Sequence, residues 1–189
     1  MLEFMNSQTR GTKCPCGPKI TTLMKKPIHN DYDTSITPDI SIHTLLSKSS
    51  KTAEAILSAI QALERRTFPS SECLSISTET SKRNTHLLYA QCSSTVVAYV
   101  IYINTSSGLR IHKVCVAESF RRKGMATILI ERICQVAKKS GKDIDLWVDE
   151  ARVAARECYT KAGFRIAGET VVDYYGPGRN GVRMVWTCT

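Results

Sequence analysis

Residues 121–126, Arg-Arg-Lys-Gly-Met-Ala, separate the mostly apolar run Leu109-Arg-Ile-His-Lys-Val-Cys-Val-Ala117 from a segment whose Leu129, Ile133 and Val136 recur at helical spacing. The order is strand, short loop, helix. A helix N-terminus offers unpaired backbone N–H groups and positive dipole density, and Gly124 lets the main chain approach an oxygen that a Cβ would hold off. Arg121, Arg122 and Lys123 add positive charge at the mouth of this turn. Such a loop suits a pyrophosphate, although a plain basic loop opening a surface helix is written with the same residue types.

A second segment downstream, Ala155-x-x-Cys-Tyr159-x-x-x-Gly163-Phe164, restricts the reading further. In order and spacing, Arg121-x-x-Gly124-x-Ala126 and this segment resemble two motifs of the GNAT acetyltransferase superfamily. These are the Arg/Gln-x-x-Gly-x-Gly/Ala loop that grips the pyrophosphate of acetyl-CoA and the Ala-x-x-Leu-Tyr-x-x-x-Gly-Phe segment. The resemblance covers about residues 39–189. It implies an α/β (α+β) fold, a single domain with a mixed, twisted sheet of about seven strands flanked by helices.

The chain read in order agrees with that architecture. Residues 1–37, rich in Thr, Ser, Pro, Lys and Asn without a sustained period, are expected to be a disordered leader, with the domain at 38–189. A strand is expected over 39–46, then a helix over about 51–65 with Ala53, Ile56, Leu57, Ile60 and Leu63 on one face. Phe68-Pro69 ends that helix and opens a connecting loop. Strands follow at 86–92, 95–104 and 109–117, most economically as three consecutive antiparallel strands. The helix after Gly124 closes near Lys138-Lys-Ser-Gly141, with basic residues at its negative end. A strand at 143–148, a helix at about 150–162 that Asp149 can cap and Gly163 stops, and strands at 164–170 and 181–186 complete the pattern.

Charge and cysteine usage narrow the function classes. The net charge of +9 is spread along the chain without a standard nucleic-acid motif, and it would equally attract a polyanionic cosubstrate, so direct nucleic-acid binding is not expected. The longest apolar run, 96–103, falls far short of the roughly 20 residues that span a bilayer. With no apolar signal region near the start and Glu3 early, an intracellular, cytoplasmic protein with reduced cysteines is expected. Cys14-Pro-Cys16 lacks a partner pair, so no metal site is expected.

Acetyl transfer to an amine needs a polarised carbonyl, a neutral amine in line and a proton for the departing thiolate. The resemblance assigns pantetheine contacts to Val114, Cys115 and Val116, and pyrophosphate contacts to Arg121, Arg122, Lys123, Gly124, Met125, Ala126 and Thr127. Arg152 stands where relatives often carry a CoA-contacting Asn. Tyr159 takes the place of the general acid. The family's bases do not carry over, because Trp147 and Arg110 stand at the matching positions. His112, on the same strand face as Arg110, is the remaining candidate, with Asp149 and Glu150 behind it. Cys115 is the covalent rival, and its backbone-contact position argues against that role.

For the acceptor, an α-amine with pKa near 8 is about a tenth neutral at pH 7, whereas a lysine amine is neutral in well under a thousandth of molecules. A poor base therefore favours a protein or peptide N-terminus. The resemblance to N-terminal acetyltransferases, including those acting on ribosomal proteins, gives Phe68, Tyr174 and Tyr175 to the acceptor. A small amine such as a polyamine or drug, and a CoA-binding module without catalysis, remain as alternatives.

Overall fold

The computed structural model describes residues 40–45 and 50–188; the expected leader at 1–37, with Cys14 and Cys16, lies outside the described residues. The elements are β1 (Ile40–Thr44), α1 (Lys51–Thr67), α2 (Ile76–Ser81), β2 (Thr85–Cys92), β3 (Thr95–Asn104) and β4 (Leu109–Val116), followed by α3 (Met125–Ser140), β5 (Ile144–Asp149), α4 (Val153–Lys161), β6 (Arg165–Ile166) and β7 (Gly181–Trp186). They build one seven-stranded sheet in the order β1-β2-β3-β4-β5-β7-β6. Among the described strands, only the β4–β5 pair is parallel.

Helices cover both faces of the sheet. Leu129, Ile130 and Ile133 of α3 pack with Leu88, Val100 and Leu146 on one side, while Ile60 and Leu63 of α1 and Ile76 of α2 pack with Leu87, Tyr99 and Ile101 on the other. This explains why residues 96–102 are apolar without alternation: a central strand sandwiched between two helical layers buries both of its faces. At roughly 1.5–3 kcal/mol per fully buried aliphatic side chain, these layers hold the sheet together.

Two local departures shape the cleft. Ile101 pairs with Lys113 and Tyr102 with Ile111, so His112 is an extra residue, a β-bulge in β4. The bulge reverses the alternation: Leu109 and Ile111 face α3, whereas Cys115 faces α1. Beyond Ile111 and Leu146 the parallel pairing of β4 with β5 stops, after only three residue pairs, and the strands part.

Some expected boundaries are corrected. α2 interrupts the expected loop after Phe68; its Ile-Ser-Thr-Glu-Thr-Ser sequence is too short to show a helical period, and Thr80 Oγ1 donates back to the Ile76 carbonyl. The strand expected over 164–170 contracts to β6, because Gly168, at φ +83°, turns the chain out of the sheet. Asp149 does not cap α4. It ends β5, its Oδ1 accepts from the Ala151 N–H at 3.0 Å, and α4 starts later at Val153 without a side-chain cap.

Candidate functional site

The turn at 121–124 delivers the chain into α3 through a backbone conformation that suits glycine. Gly124 is the N-cap residue at φ +77°, and a Cβ there would meet nothing within 4 Å. Open space faces the helix start. Among the described residues no side chain caps α3, and no acidic residue occupies its first turn, so its first N–H groups and dipole can meet an anion. Arg122 also has positive φ, at 60°, and Arg121 Nε donates to the Val116 carbonyl at 3.3 Å, tying the turn to the end of β4. Met125 is buried and Ala126 half-buried, and both pack against the core. Thr127 Oγ1 lies 3.7 Å from Cys158 Sγ, while Lys123 hovers over the Phe120 ring.

From this turn a groove runs between β4 and α4, lined by Val114, Cys115, Val116, Arg121, Arg152 and Ala155. It meets a cavity of about 140 Å³ where β4 and β5 part. Phe68, His112, Val114, Arg152, Tyr159 and Tyr175, distant in sequence, all line that cavity. Tyr174 lies beside it, stacked on Trp147 with ring centroids 4.5 Å apart and edge-on to Tyr175 at 4.8 Å. Gly181 makes room for it, since a Cβ there would collide with the Tyr174 ring at 2.7 Å.

The electrostatics sort the titratable groups. Burial pushes the Tyr159 phenol well above its ordinary range, so it stays protonated at neutral pH. Burial lowers His112 below the usual imidazole value; Glu79, 3.7 Å from its Nε2, pulls the other way, and the charges of Lys82 and Lys113 add to the lowering. It is therefore neutral near pH 7. Burial pushes the Cys115 thiol up to about 11, and its side chain sits in the α1 layer, so little thiolate forms.

Five residues that the sequence did not bring forward, or assigned elsewhere, complete the cavity. Glu72 reaches in from a short 3₁₀ turn after α1 (Ser70–Glu72); it is bound by Arg152 and, 2.8 Å from its Oε1, by Arg179 Nη1. Arg179 is also clamped by Asp149, whose Oδ2 accepts from Nε and Nη2 at 2.8 and 2.7 Å. Burial pushes the Asp149 carboxyl up, but the hydrogen bonds and charge of Arg179, with the Ala151 N–H and the Arg152 charge, outweigh it and leave it below the usual range. Lys113, thrown to the α1 side by the bulge, donates to the Glu72 carbonyl at 2.9 Å and sits 3.2 Å from the buried Glu64 and 3.5 Å above the Phe68 ring. Arg152, expected beside the cofactor, is engaged across the cavity by Glu72. Glu150 binds Asn180 and does not line the cavity.

Comparisons with known proteins converge on one family. A family model described as the acetyltransferase (GNAT) family matches residues 56–164. No curated protein matches the chain in sequence. Among solved structures, the ribosomal-protein-S18-alanine N-acetyltransferase from Escherichia coli is similar with TM-score 0.66 and 19% identity, over 79% of this chain and 94% of that one. An aminoglycoside 6'-N-acetyltransferase complexed with coenzyme A gives 0.65 and 18%, over 79% and 97%. The IAA acetyltransferase from Bacillus cereus gives 0.59 and 19%, over 78% and 98%. At such identities these structures speak to the fold.

Proposed function

The chain belongs to the GNAT acetyltransferase family, and from that premise we propose that it moves the acetyl group of acetyl-CoA onto the α-amine of a protein or peptide N-terminus, by direct attack in a ternary complex. The observation that carries the choice of acceptor is the state of the cavity's carboxylates. Glu72 and Asp149 are both held by arginines. A polycationic acceptor finds no free carboxylate there. The aromatic wall of Phe68, Trp147 and Tyr175 instead offers apolar surface to the first residue of a peptide. Of the similar structures, one is a ribosomal-protein-S18-alanine N-acetyltransferase and another an aminoglycoside 6'-N-acetyltransferase, so fold alone does not choose.

The uncapped start of α3 and the open space at Gly124 fit a diphosphate, with Arg121, Arg122 and Lys123 adding charge. Acetyl-CoA supplies an activated thioester carbonyl. The backbone of Val114, Cys115 and Val116 aligns it along the parted edge of β4, while Phe68, Tyr174 and Tyr175 direct the amine. As nitrogen bonds to the carbonyl carbon and the carbon–sulfur bond breaks, His112, kept neutral by burial, accepts the amine's proton. Tyr159 donates to the departing thiolate. Cys115, with its thiol held protonated, takes no covalent part.

The test is acetylation of a peptide library against a panel of polyamines and aminoglycosides. Specificity constants at least about tenfold higher for peptides are expected. The reverse ratio would replace the peptide with a small amine, and binding of acetyl-CoA without turnover on any amine would reduce the protein to a binding module.

A further inference from the structure

Arg152 and Arg179 arrive from different loops, yet both guanidinium groups close on one carboxylate, that of Glu72. Each has a support of its own. The far edge of Arg179 is fixed by the buried Asp149, and its guanidinium carbon lies 5.7 Å over the Tyr175 ring. Arg152 lies 5.6 Å over the Phe68 ring. The backbone of Glu72 is held separately, by Lys113 on its carbonyl, so its carboxylate can swing away without moving the wall. Two supported cations would then face the cavity that holds His112 and Tyr159. With Glu72 withdrawn, Asp149 is the one acidic residue left among the described residues lining the cavity, and it balances only one of the two cations.

We propose that Arg152 and Arg179 form a carboxylate-binding subsite, that Glu72 occupies it in the free protein, and that the acceptor carries a carboxylate near its reacting amine which takes Glu72's place. The proposal rests on the peptide reading for the source it favours, an Asp or Glu side chain within the first residues of the N-terminus. The same chemistry is offered by the free carboxylate of an amino acid. Exchanging one carboxylate for another leaves the charge of the cavity unchanged, whereas a neutral acceptor either leaves Glu72 in place or strands the one cation that Asp149 does not balance.

The experiment compares C-terminally amidated peptides that differ only in Glu or Gln at the second residue, alongside free glutamate and glutamine amide. The expected result is a kcat/KM about tenfold or more higher for the Glu peptide, as charge-assisted hydrogen bonds would give. That ratio should fall towards one in Arg152→Gln, whose exposed side chain spares the fold, and in Arg179→Gln. Glu72→Gln removes the internal competitor, so KM for the Glu peptide should drop several-fold while that for the Gln peptide holds. Preference for free glutamate over glutamine amide, lost in Arg152→Gln, would uphold the subsite and overturn the peptide reading. If no acceptor is turned over, glutarate is titrated against the wild-type protein and the side-chain Nε–H resonances of Arg152 and Arg179 are followed. Shifts absent from the Arg152→Gln protein support the subsite. Equal rates for the Glu and Gln peptides, or resonances that glutarate does not move, overturn it.

Discussion

The two halves of the cleft are made of different material. On the cofactor side the proposed contacts are mainly main chain, with basic side chains adding only charge: the uncapped N–H groups of α3 after Gly124 and the parted edge of β4. On the acceptor side they are side chains: Glu72, Arg152 and Arg179 with their aromatic partners, drawn from three separate loops and held by charge. A backbone site tolerates many neighbours as long as one or two residues permit its conformation, whereas a side-chain site changes its ligand with a single substitution. That contrast fits a family that keeps one cosubstrate while acceptors vary.

Tyr159 stands where the halves meet, and its removal is the largest effect expected. Tyr159→Phe should lower kcat by about 10²–10⁴-fold, the usual share of a positioned acid, while acetyl-CoA affinity by calorimetry changes little. Equal losses in both would make the phenol a cofactor contact and move the border between the halves. Unchanged turnover would remove it from the chemistry.

The backbone character of the cofactor side is tested by a pair of glycines. Gly124 and Gly141 flank α3, both left-handed, at φ +77° and +61°, and a Cβ meets nothing within 4 Å at either. Replacing either by Ala forces an L-residue into that region at about 1–2 kcal/mol, so both variants should lose similar thermal stability. Only Gly124→Ala brings a methyl group to the proposed phosphate, and only it should weaken acetyl-CoA, by about tenfold or more. Equal affinities for the two variants would mean that the turn does not hold the ligand through its main chain.

The same division explains what could be read in advance. The turn at 121–126 and the long periodic elements were legible in the residues themselves, because each is contiguous and answers to a local need, such as a positive φ or a buried stripe, whereas the Tyr159 segment was read through its resemblance to a family motif. The seven strands and the antiparallel β2-β3-β4 run followed from alternation and turn residues. Glu72, in Ser-Ser-Glu-Cys, carries no local signal; it matters only because Arg152 and Arg179 come to it from 80 and more residues away. A strand-end Asp before a helix fits a cap locally, and only the late start of α4 and the Arg179 clamp show that Asp149 does something else. The His112 bulge was equally hidden, being a property of the register with β3.

A smaller effect is expected at His112. At pH 7 about a tenth of α-amines are already neutral, so a base that removes the proton gains at most about tenfold by that route. His112→Gln should therefore lower kcat/KM by less than tenfold. The sign of the pH dependence follows from burial, which lowers the imidazole pKa: the residue works when neutral, so the wild-type to variant ratio should rise with pH through one ionisation below about 6.5. A flat ratio would leave proton removal to water.

The smallest effect should lie in acid stability, and it falls on the acceptor side alone. The carboxyl of Asp149 is held below the unfolded value of about 3.9 in the folded chain, so its contribution is present above that value and is lost as pH falls through the folded pKa. Between pH 7 and 5 nothing should change on this account. Below about pH 4 the loop that carries Arg179 should loosen first, seen as faster amide exchange around 173–180 while α3 stays protected. Asp149→Asn should flatten the stability curve there by at most one proton's worth of slope. Because no acidic residue occupies the first turn of α3, the cofactor side has no group of this kind to titrate. If α3 loosened together with the 173–180 loop, the two halves would be one cooperative unit, and their different construction would carry no difference in response to acid.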